Sequence, residues 1–231
     1  MLSDSQFRSE VENNILDITS HTSARRTDLI THAYPCGVTS DGLENILRTN
    51  ANWNFLSARG YHINDFEDQT PSNFFELKSF NTPHYHDPPL NPPDYLQVID
   101  QTESQGKWAN LVFHNECTDD GAINYLPTKN LWVDTIGNVI KYIKLRDNAL
   151  IINLIQNESE IRFTVNTPSA YQSAIYNQEI TLKITMPSNK RASSVLINNQ
   201  QSQYQLFNSQ QNIILINVPF PINEDVVIRM Q

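Results

Sequence analysis

Cysteine, basic residues and long apolar runs are all scarce in this 231-residue chain. Its two cysteines, Cys36 and Cys117, are too few for a disulfide scaffold, and we expect two free thiols. With 16 basic and 25 acidic residues the formal charge is −9, which argues against a nucleic-acid partner. No apolar stretch predicts a membrane span, and the N-terminus lacks the positive and apolar regions of a signal peptide.

The length allows one large domain or two modest ones. Alternating helical and strand patterns over residues 1–148 predict a β/α architecture. From residue 149 to 231, short β-branched runs separated by polar turns predict a small antiparallel β-sandwich. The sequence therefore predicts an α/β protein of two domains that meet between residues 148 and 149.

Several element boundaries can be predicted from capping residues and periodicity. Ser3 or Ser5 can cap a first helix whose apolar residues recur at three- and four-residue steps. Thr128 is expected to cap the last helix of the first domain, with apolar residues between 131 and 143 facing inward. The segment rich in Asn and Gln near 198–212 is expected to be a surface loop.

The most informative segment is 108–116, where an apolar run ends in His114 and turn-prone polar residues follow at once. This pattern predicts a buried strand with an imidazole at its carboxyl end. Catalytic groups gather at such strand ends in β/α folds, and histidine exchanges protons near neutral pH. The alternative is a strand-end histidine that only makes structural hydrogen bonds.

The same segment resembles a known family. Leu-Val-Phe-His at 111–114 is similar to the last motif, Leu-x-x-His, of the polysaccharide deacetylases, which are metal-dependent carbohydrate deacetylases. His-Ala-Tyr-Pro-Cys-Gly at 32–37 resembles their third motif in its bacterial form, Phe-Ala-Tyr-Pro-Tyr-Gly. Residues 57–61 resemble an Ala-Arg-Gly-Tyr segment of that branch, and residues 131–144 resemble the helix that closes the catalytic domain. The four matches occur in the family's order and cover roughly residues 5–148.

The resemblance implies a partial (β/α) barrel followed by a β-sandwich, and a hydrolase that removes N- or O-acetyl groups from a glycan with metal-activated water. It implies that His114 is the general acid and that the backbone N–H of Cys36 is an oxyanion donor. It also implies a substrate pocket, formed by Leu111, Tyr34, Pro35 and Arg59. The alternative for residues 34–37 is a plain tight turn. Family members usually act outside the cytoplasm.

Two motifs of that family are missing from the sequence. The first, Thr-Phe-Asp-Asp, supplies the catalytic base and a metal-binding carboxylate. The second, His-Ser/Thr-x-x-His, supplies two metal-binding imidazoles. His21 and Thr22 match its first two positions, but Arg25 stands where the second histidine is needed. By register, both belong upstream of Met1. We therefore expect no metal or other cofactor in this chain, little activity by itself, and self-association through the edge of an incomplete barrel; the complete family enzyme would hold zinc or a similar divalent ion.

Other interpretations stay open at this stage. His84 and His86, in a proline-rich loop, could bind zinc, although loop histidines are usually solvated. Cys36 as a nucleophile has no base partner visible in the sequence. A non-catalytic carbohydrate-binding or remnant module, or a structural carrier of the β-rich part, are the alternative functions. Aromatic residues could line a sugar-stacking groove or fill the core: Trp53, Phe55, Tyr61, Phe66, Phe74, Phe75 and Phe80.

Overall fold

A computed structural model describes residues 3–60, 64–81, 94–113, 120–208 and 211–231. It divides the chain into two compact units, Met1–Ile140 and Lys141–Gln231. The helices are α1 (Asp4–His21), α2 (Asp41–Thr49), α3 (Tyr95–Gln105), α4 (Asp120–Tyr125) and α5 (Ile136–Asn148). The strands of the first unit are β1 (Thr31–Ala33), β2 (Ser57–Arg59), β3 (Phe80–Asn81) and β4 (Leu111–Val112). Those of the second unit are β5 (Leu150–Gln156), β6 (Glu160–Asn166), β7 (Ile180–Thr185), β8 (Ala192–Ile197), β9 (Gln200–Ser202), β10 (Tyr204–Asn208), β11 (Ile213–Val218) and β12 (Glu224–Met230).

Helix α1 begins at a capping box, which confirms the predicted start of the first helix. The Ser3 hydroxyl accepts the Gln6 N–H at 3.4 Å, and the Gln6 side chain accepts the Ser3 N–H at 2.9 Å. The apolar face of α1 is buried because its residues recur at helical spacing. It packs with α2 and with the segments around β1 and β2 in one core cluster: Phe7, Val11, Ile15, Tyr34, Ile46, Leu47, Trp53, Ala58 and Phe75.

The four strands of the first unit form two parallel pairs, which a single parallel bridge connects. β1 pairs with β2 in parallel, and β3 pairs with β4 in parallel. A parallel bridge from Arg59 to Leu77 joins β2 to the segment that leads into β3, with the Leu77 N–H donating to the Ala58 carbonyl at 2.9 Å. The carboxyl ends of the strands therefore meet at one edge, where β/α folds carry their sites.

The second unit contains two antiparallel sheets. One has the order β5-β6-β12-β8-β9 and the other the order β10-β11-β7. Burial alternates along β6 and β8, as expected for strands with one face in a core. The chain as a whole is thus a mixed helix-and-sheet protein, with parallel pairs in the first unit and antiparallel sheets in the second.

Two predicted elements are wrong. The last helix of the first unit begins at Ile136 rather than after Thr128, because Thr135 accepts the Asn138 N–H at 3.3 Å and caps it, whereas residues 126–128 form a 3-10 turn directly after α4. The segment predicted as a loop near 198–212 contains β9 and β10. Asn198 and Asn199 both adopt left-handed conformations (φ 50° and 64°), which suit a two-residue hairpin turn between β8 and β9.

Glu12 connects α1 to the segments that contain Arg26 and Trp53. Glu12 accepts a hydrogen bond from the Trp53 indole at 2.9 Å and forms a two-point ion pair with Arg26. These hydrogen bonds, with that from Arg26 the largest, lower the pKa of Glu12 from 4.5 to about 2. The carboxylate therefore contributes stability that is complete above pH 4.5 and is lost as the pH falls toward 2.

Glu12→Gln is expected to lower the free energy of unfolding by about 1 kcal/mol at neutral pH, a small value because the side chain is 38% exposed and solvent screens the pair. The difference from wild type should shrink as the pH falls below 4.5. Urea unfolding followed by tryptophan fluorescence measures both. Glu10→Gln, an exposed position on the same helix, is the matched control and should change stability little. A constant Glu12→Gln difference down to pH 3 would contradict this assignment.

Candidate functional site

A cavity of about 660 Å³ lies against β4 in the first unit. It is bounded by the whole strand segment 108–113, by the inner face of α3, by α4 and by the extended segment before α5. Two of the residues predicted to form a substrate pocket, Arg59 and Leu111, line it. They come from different matched motifs, so the fold brings together side chains that are 52 positions apart.

Arg59 is one of two positively charged residues that line the cavity. It ends β2, and among the residues that the structure describes its guanidinium has no ion-pair or hydrogen-bond partner. Burial lowers the pKa of Arg59 below its usual 12.5, and an arginine remains protonated under all ordinary conditions. The other cation of the lining, Lys107, is paired with Asp68 at 3.2 Å.

Three buried polar side chains in or just before β2, β3 and β4 have atoms without a hydrogen-bond partner: Ser57 Oγ, Ser79 Oγ and Asn110 Nδ2. Ser57 lies on the same face of β2 as Arg59, because successive residues of a strand point to opposite faces. Ser79 and Asn110 stand one position before the paired residues Phe80 and Leu111.

Sequence reasoning missed these polar side chains. Ser57 and Arg59 alternate with Ala58, whereas Asn110 stands inside the mostly apolar run 108–113, where no alternation marks it. Strands this short give too few repeats for the alternation to be recognised without the pairing register. Of the three side chains, only Asn110 borders the cavity.

The turn predicted from the third motif lies at the carboxyl end of β1, beside the end of β2. The Tyr34 N–H donates to the Arg59 carbonyl at 3.2 Å, and its hydroxyl donates to the Phe75 carbonyl at 3.0 Å. Burial raises the pKa of Tyr34 well above its usual 10. Tyr34 therefore belongs to the core cluster around α1 and does not line the 660 Å³ cavity.

Pro35 and Cys36 are exposed at that turn. Cys36 has a free thiol and adopts a left-handed conformation with φ 54°, and Gly37 after it also has a positive φ of 65°. Pro35 borders a separate cleft between α1 and β1, which His32 also lines. The structure thus joins Arg59 to Leu111 in one cavity, and it does not bring Tyr34, Pro35 or Cys36 to that cavity.

The remaining predicted groups fall outside the described ranges. These are His114, the expected general acid, together with Cys117 and the two histidines of the proline-rich loop, His84 and His86. Within the described residues, no group of three histidine, cysteine or acidic side chains could hold a metal ion. This part of the chain does not fit the divalent metal that the family resemblance implies.

The aromatic residues proposed as a sugar-stacking groove or as core take the second role wherever the structure describes them. Trp53 and Phe75 belong to the core cluster around α1, and Phe55 and Phe74 pack against it. The second cluster of the unit, around α3, contains the other two described members of the set, Phe66 and Phe80. Tyr61 lies outside the described residues.

Comparison with known proteins adds no relative: no protein-family model, no curated protein and no solved structure matches the chain. Across the five described ranges, no helix combines the length and the apolar character needed to cross a lipid bilayer.

Proposed function

We propose that this chain is a polysaccharide deacetylase-like hydrolase, related to enzymes that remove N- or O-acetyl groups from a glycan, built as a partial (β/α) barrel and a small β-sandwich. The observation that supports the proposal is the shared cavity of Arg59 and Leu111, two residues of separate motif matches. The parallel order of β1 to β4 is consistent with part of a barrel, because barrel strands follow one another in this way.

In this proposal the chain supplies the pocket for the acetyl methyl group and the general acid. Leu111 lies on the cavity wall, where it would contact the acetyl methyl group. His114, three residues further on, would donate a proton to the nitrogen or oxygen of the leaving sugar. The backbone N–H of Cys36, which the resemblance makes the oxyanion donor, lies outside this cavity and has no role in this step. The chain carries neither the Asp-Asp motif nor the His-Ser/Thr-x-x-His motif, so we expect it to be inactive alone.

The test is binding, measured by calorimetry with an N-acetylglucosamine oligomer and with its fully deacetylated counterpart. The proposal expects tighter binding of the acetylated oligomer, and expects Leu111→Ala to remove that preference because the methyl contact is lost. Leu96→Ala, an exposed leucine of α3, should leave the preference unchanged. Equal binding of the two oligomers, or no binding of either, would contradict the proposed function.

A non-catalytic carbohydrate-binding or remnant module is the second candidate. The cavity favours it in one respect, since the unpaired donors of Arg59 and Asn110 can bind a ligand without any reaction. Acetate release by the chain separates the two candidates. Release above the uncatalysed rate, with zinc added and lost in His114→Ala, would exclude the binding module and would also show that our expectation of inactivity is wrong.

We also propose self-association. Within the described residues, β1 pairs only with β2 and β4 only with β3, which leaves the two edges of the partial barrel unpaired. β5 is a third edge, and it is more apolar: Leu154 is 63% exposed and Ile155 is 57% exposed. Exposed apolar edge strands are sites of association between copies of a chain.

We expect the sedimentation coefficient to rise with protein concentration, and Leu154→Lys to reduce that rise because a charge on an edge strand opposes pairing. Gln203→Lys adds the same charge outside β5 and is the control. If association persists unchanged in Leu154→Lys, the barrel edges are the contact, and a monomer at all concentrations would refute the proposal.

A further inference from the structure

Arg59 occupies an environment that an arginine rarely has without a partner. Arg59 is half-buried and lines a cavity whose wall is mostly apolar, including Val98, Leu126 and Val139. Removing a cation from water is unfavourable unless an anion or several acceptors replace the water. Within the described parts of the chain nothing does so, since no carboxylate pairs with Arg59.

A second group points to the same place. Asn110 is only 8% exposed, borders the cavity, and its Nδ2 is buried without an acceptor. Buried side-chain amides normally make hydrogen bonds, so an unpaired one beside a cavity indicates an absent acceptor. Arg59 and Asn110 are therefore two donors without acceptors at one cavity.

The other charged groups of the lining are already engaged. Lys107 is paired with Asp68. Asp134 accepts hydrogen bonds from the Thr135 N–H at 2.7 Å and from the Asn138 side chain at 2.8 Å, at the start of α5. The uncompensated charge of the cavity is thus positive. Its volume of about 660 Å³ lies in the range of pockets that hold small organic molecules.

We propose that this cavity binds an organic oxyanion, a carboxylate or phosphate group attached to an apolar body, with Arg59 and Asn110 donating to the oxyanion. The planar guanidinium can donate two parallel hydrogen bonds to either group. The apolar body lies against α3 and the segment before α5. This inference goes beyond the proposed hydrolysis, because it requires neither turnover nor a glycan.

The experiment titrates the full chain with three six-carbon probes: hexanoate, hexyl phosphate and hexylamine. Trp108 and Trp132 line the cavity, so tryptophan fluorescence reports occupancy, and calorimetry checks it. We expect hexanoate, hexyl phosphate or both to bind, and hexylamine not to bind. The tighter of the two anions identifies the oxyanion, carboxylate or phosphate. Equal binding of hexylamine, or no binding of either anion at millimolar concentration, would overturn the proposal.

Variants assign the binding to the two donors. Arg59→Met keeps an unbranched apolar side chain, shorter than arginine, and removes the charge, and we expect about a tenfold loss of affinity. Arg59→Lys keeps the charge without the planar fork, and should lose less. Asn110→Leu should weaken binding by about threefold. Lys107→Met, a cation of the same lining already paired with Asp68, is the control and should change affinity less than about twofold.

Circular dichroism of each variant verifies that it is folded. If Arg59→Met does not fold, Arg59→Lys and Asn110→Leu decide the question. Wild-type affinity in both would then show that these two residues do not bind the oxyanion. A loss in Lys107→Met as large as that in Arg59→Met would also overturn the assignment, because binding would then follow general positive charge and not the unpaired donors.

Discussion

Ile228→Ala is expected to lower the free energy of unfolding by about 3 kcal/mol, within the range seen when a buried isoleucine is cut to alanine. Ile228 has no exposed surface and lies on β12, the middle strand of the five-stranded sheet. It stands opposite Ile161 on β6 and Val195 on β8. Alanine leaves a cavity among these side chains, and the strands paired on both sides of β12 oppose its collapse.

The measurement is denaturant unfolding followed by far-UV circular dichroism, because all three tryptophans lie before residue 141 and report on the first unit. Ile155→Ala is the matched control: it is the same substitution in the same sheet, at a side chain that is 57% exposed on the edge strand β5. It should change stability by less than about 0.5 kcal/mol. Similar losses in the two variants would mean that β12 is not the buried centre of this sheet.

The fold could be predicted from the sequence where local signals and burial agree. Ser3 with Gln6 and the apolar spacing of α1 predict the first helix, and the β-branched run at 213–218 coincides with β11. The start of α5 was mispredicted because Thr128 and Thr135 are equally good caps by residue type. Only the 3-10 turn formed by residues 126–128 shows that the chain does not continue as a helix from Thr128. β9 and β10 were missed because edge strands need few apolar residues.

The candidate site was predicted less completely. Motif resemblance predicts Arg59 and Leu111 as pocket residues, and they do share a cavity. It does not predict Asn110, because an asparagine between apolar residues has no distinctive meaning until the pairing of β3 with β4 shows which way it faces. It also predicts Tyr34 as a pocket residue, yet the hydrogen bond of the Tyr34 hydroxyl to the Phe75 carbonyl depends on a contact 41 positions away. Such long-range contacts cannot be derived from local spacing.

His32→Phe is expected to stabilise the protein, and to do so more strongly as the pH falls. The His32 ring makes edge contacts with Phe7, Tyr34 and Phe55, at centroid distances of 5.3 to 6.0 Å. Its Nε2 is buried without a hydrogen-bond partner, which costs about 1–3 kcal/mol. Phenylalanine fits the same aromatic surroundings without the unpaired nitrogen.

The pH dependence follows from the same burial, which lowers the pKa of His32 from 6.5 to about 4. Between these two values the unfolded chain binds a proton that the folded chain does not. Wild-type stability from this group is therefore complete above pH 6.5 and decreases by about 3 kcal/mol as the pH falls to 4. Glu10 and Asp17 of α1 line the same cleft, and burial remains the sole cause of the shift.

Urea unfolding of wild type, His32→Phe and His32→Leu at pH 7, 5.5 and 4 tests both parts of this prediction, with Trp53 beside Phe55 as the fluorescent reporter. Both variants should lose the pH-dependent decrease assigned to His32, because neither can be protonated there. Only His32→Phe should also be more stable than wild type at pH 7, since leucine gives up the ring contacts. If both variants keep the wild-type slope between pH 6.5 and 4, a different group titrates in this range and His32 is not a buried neutral imidazole.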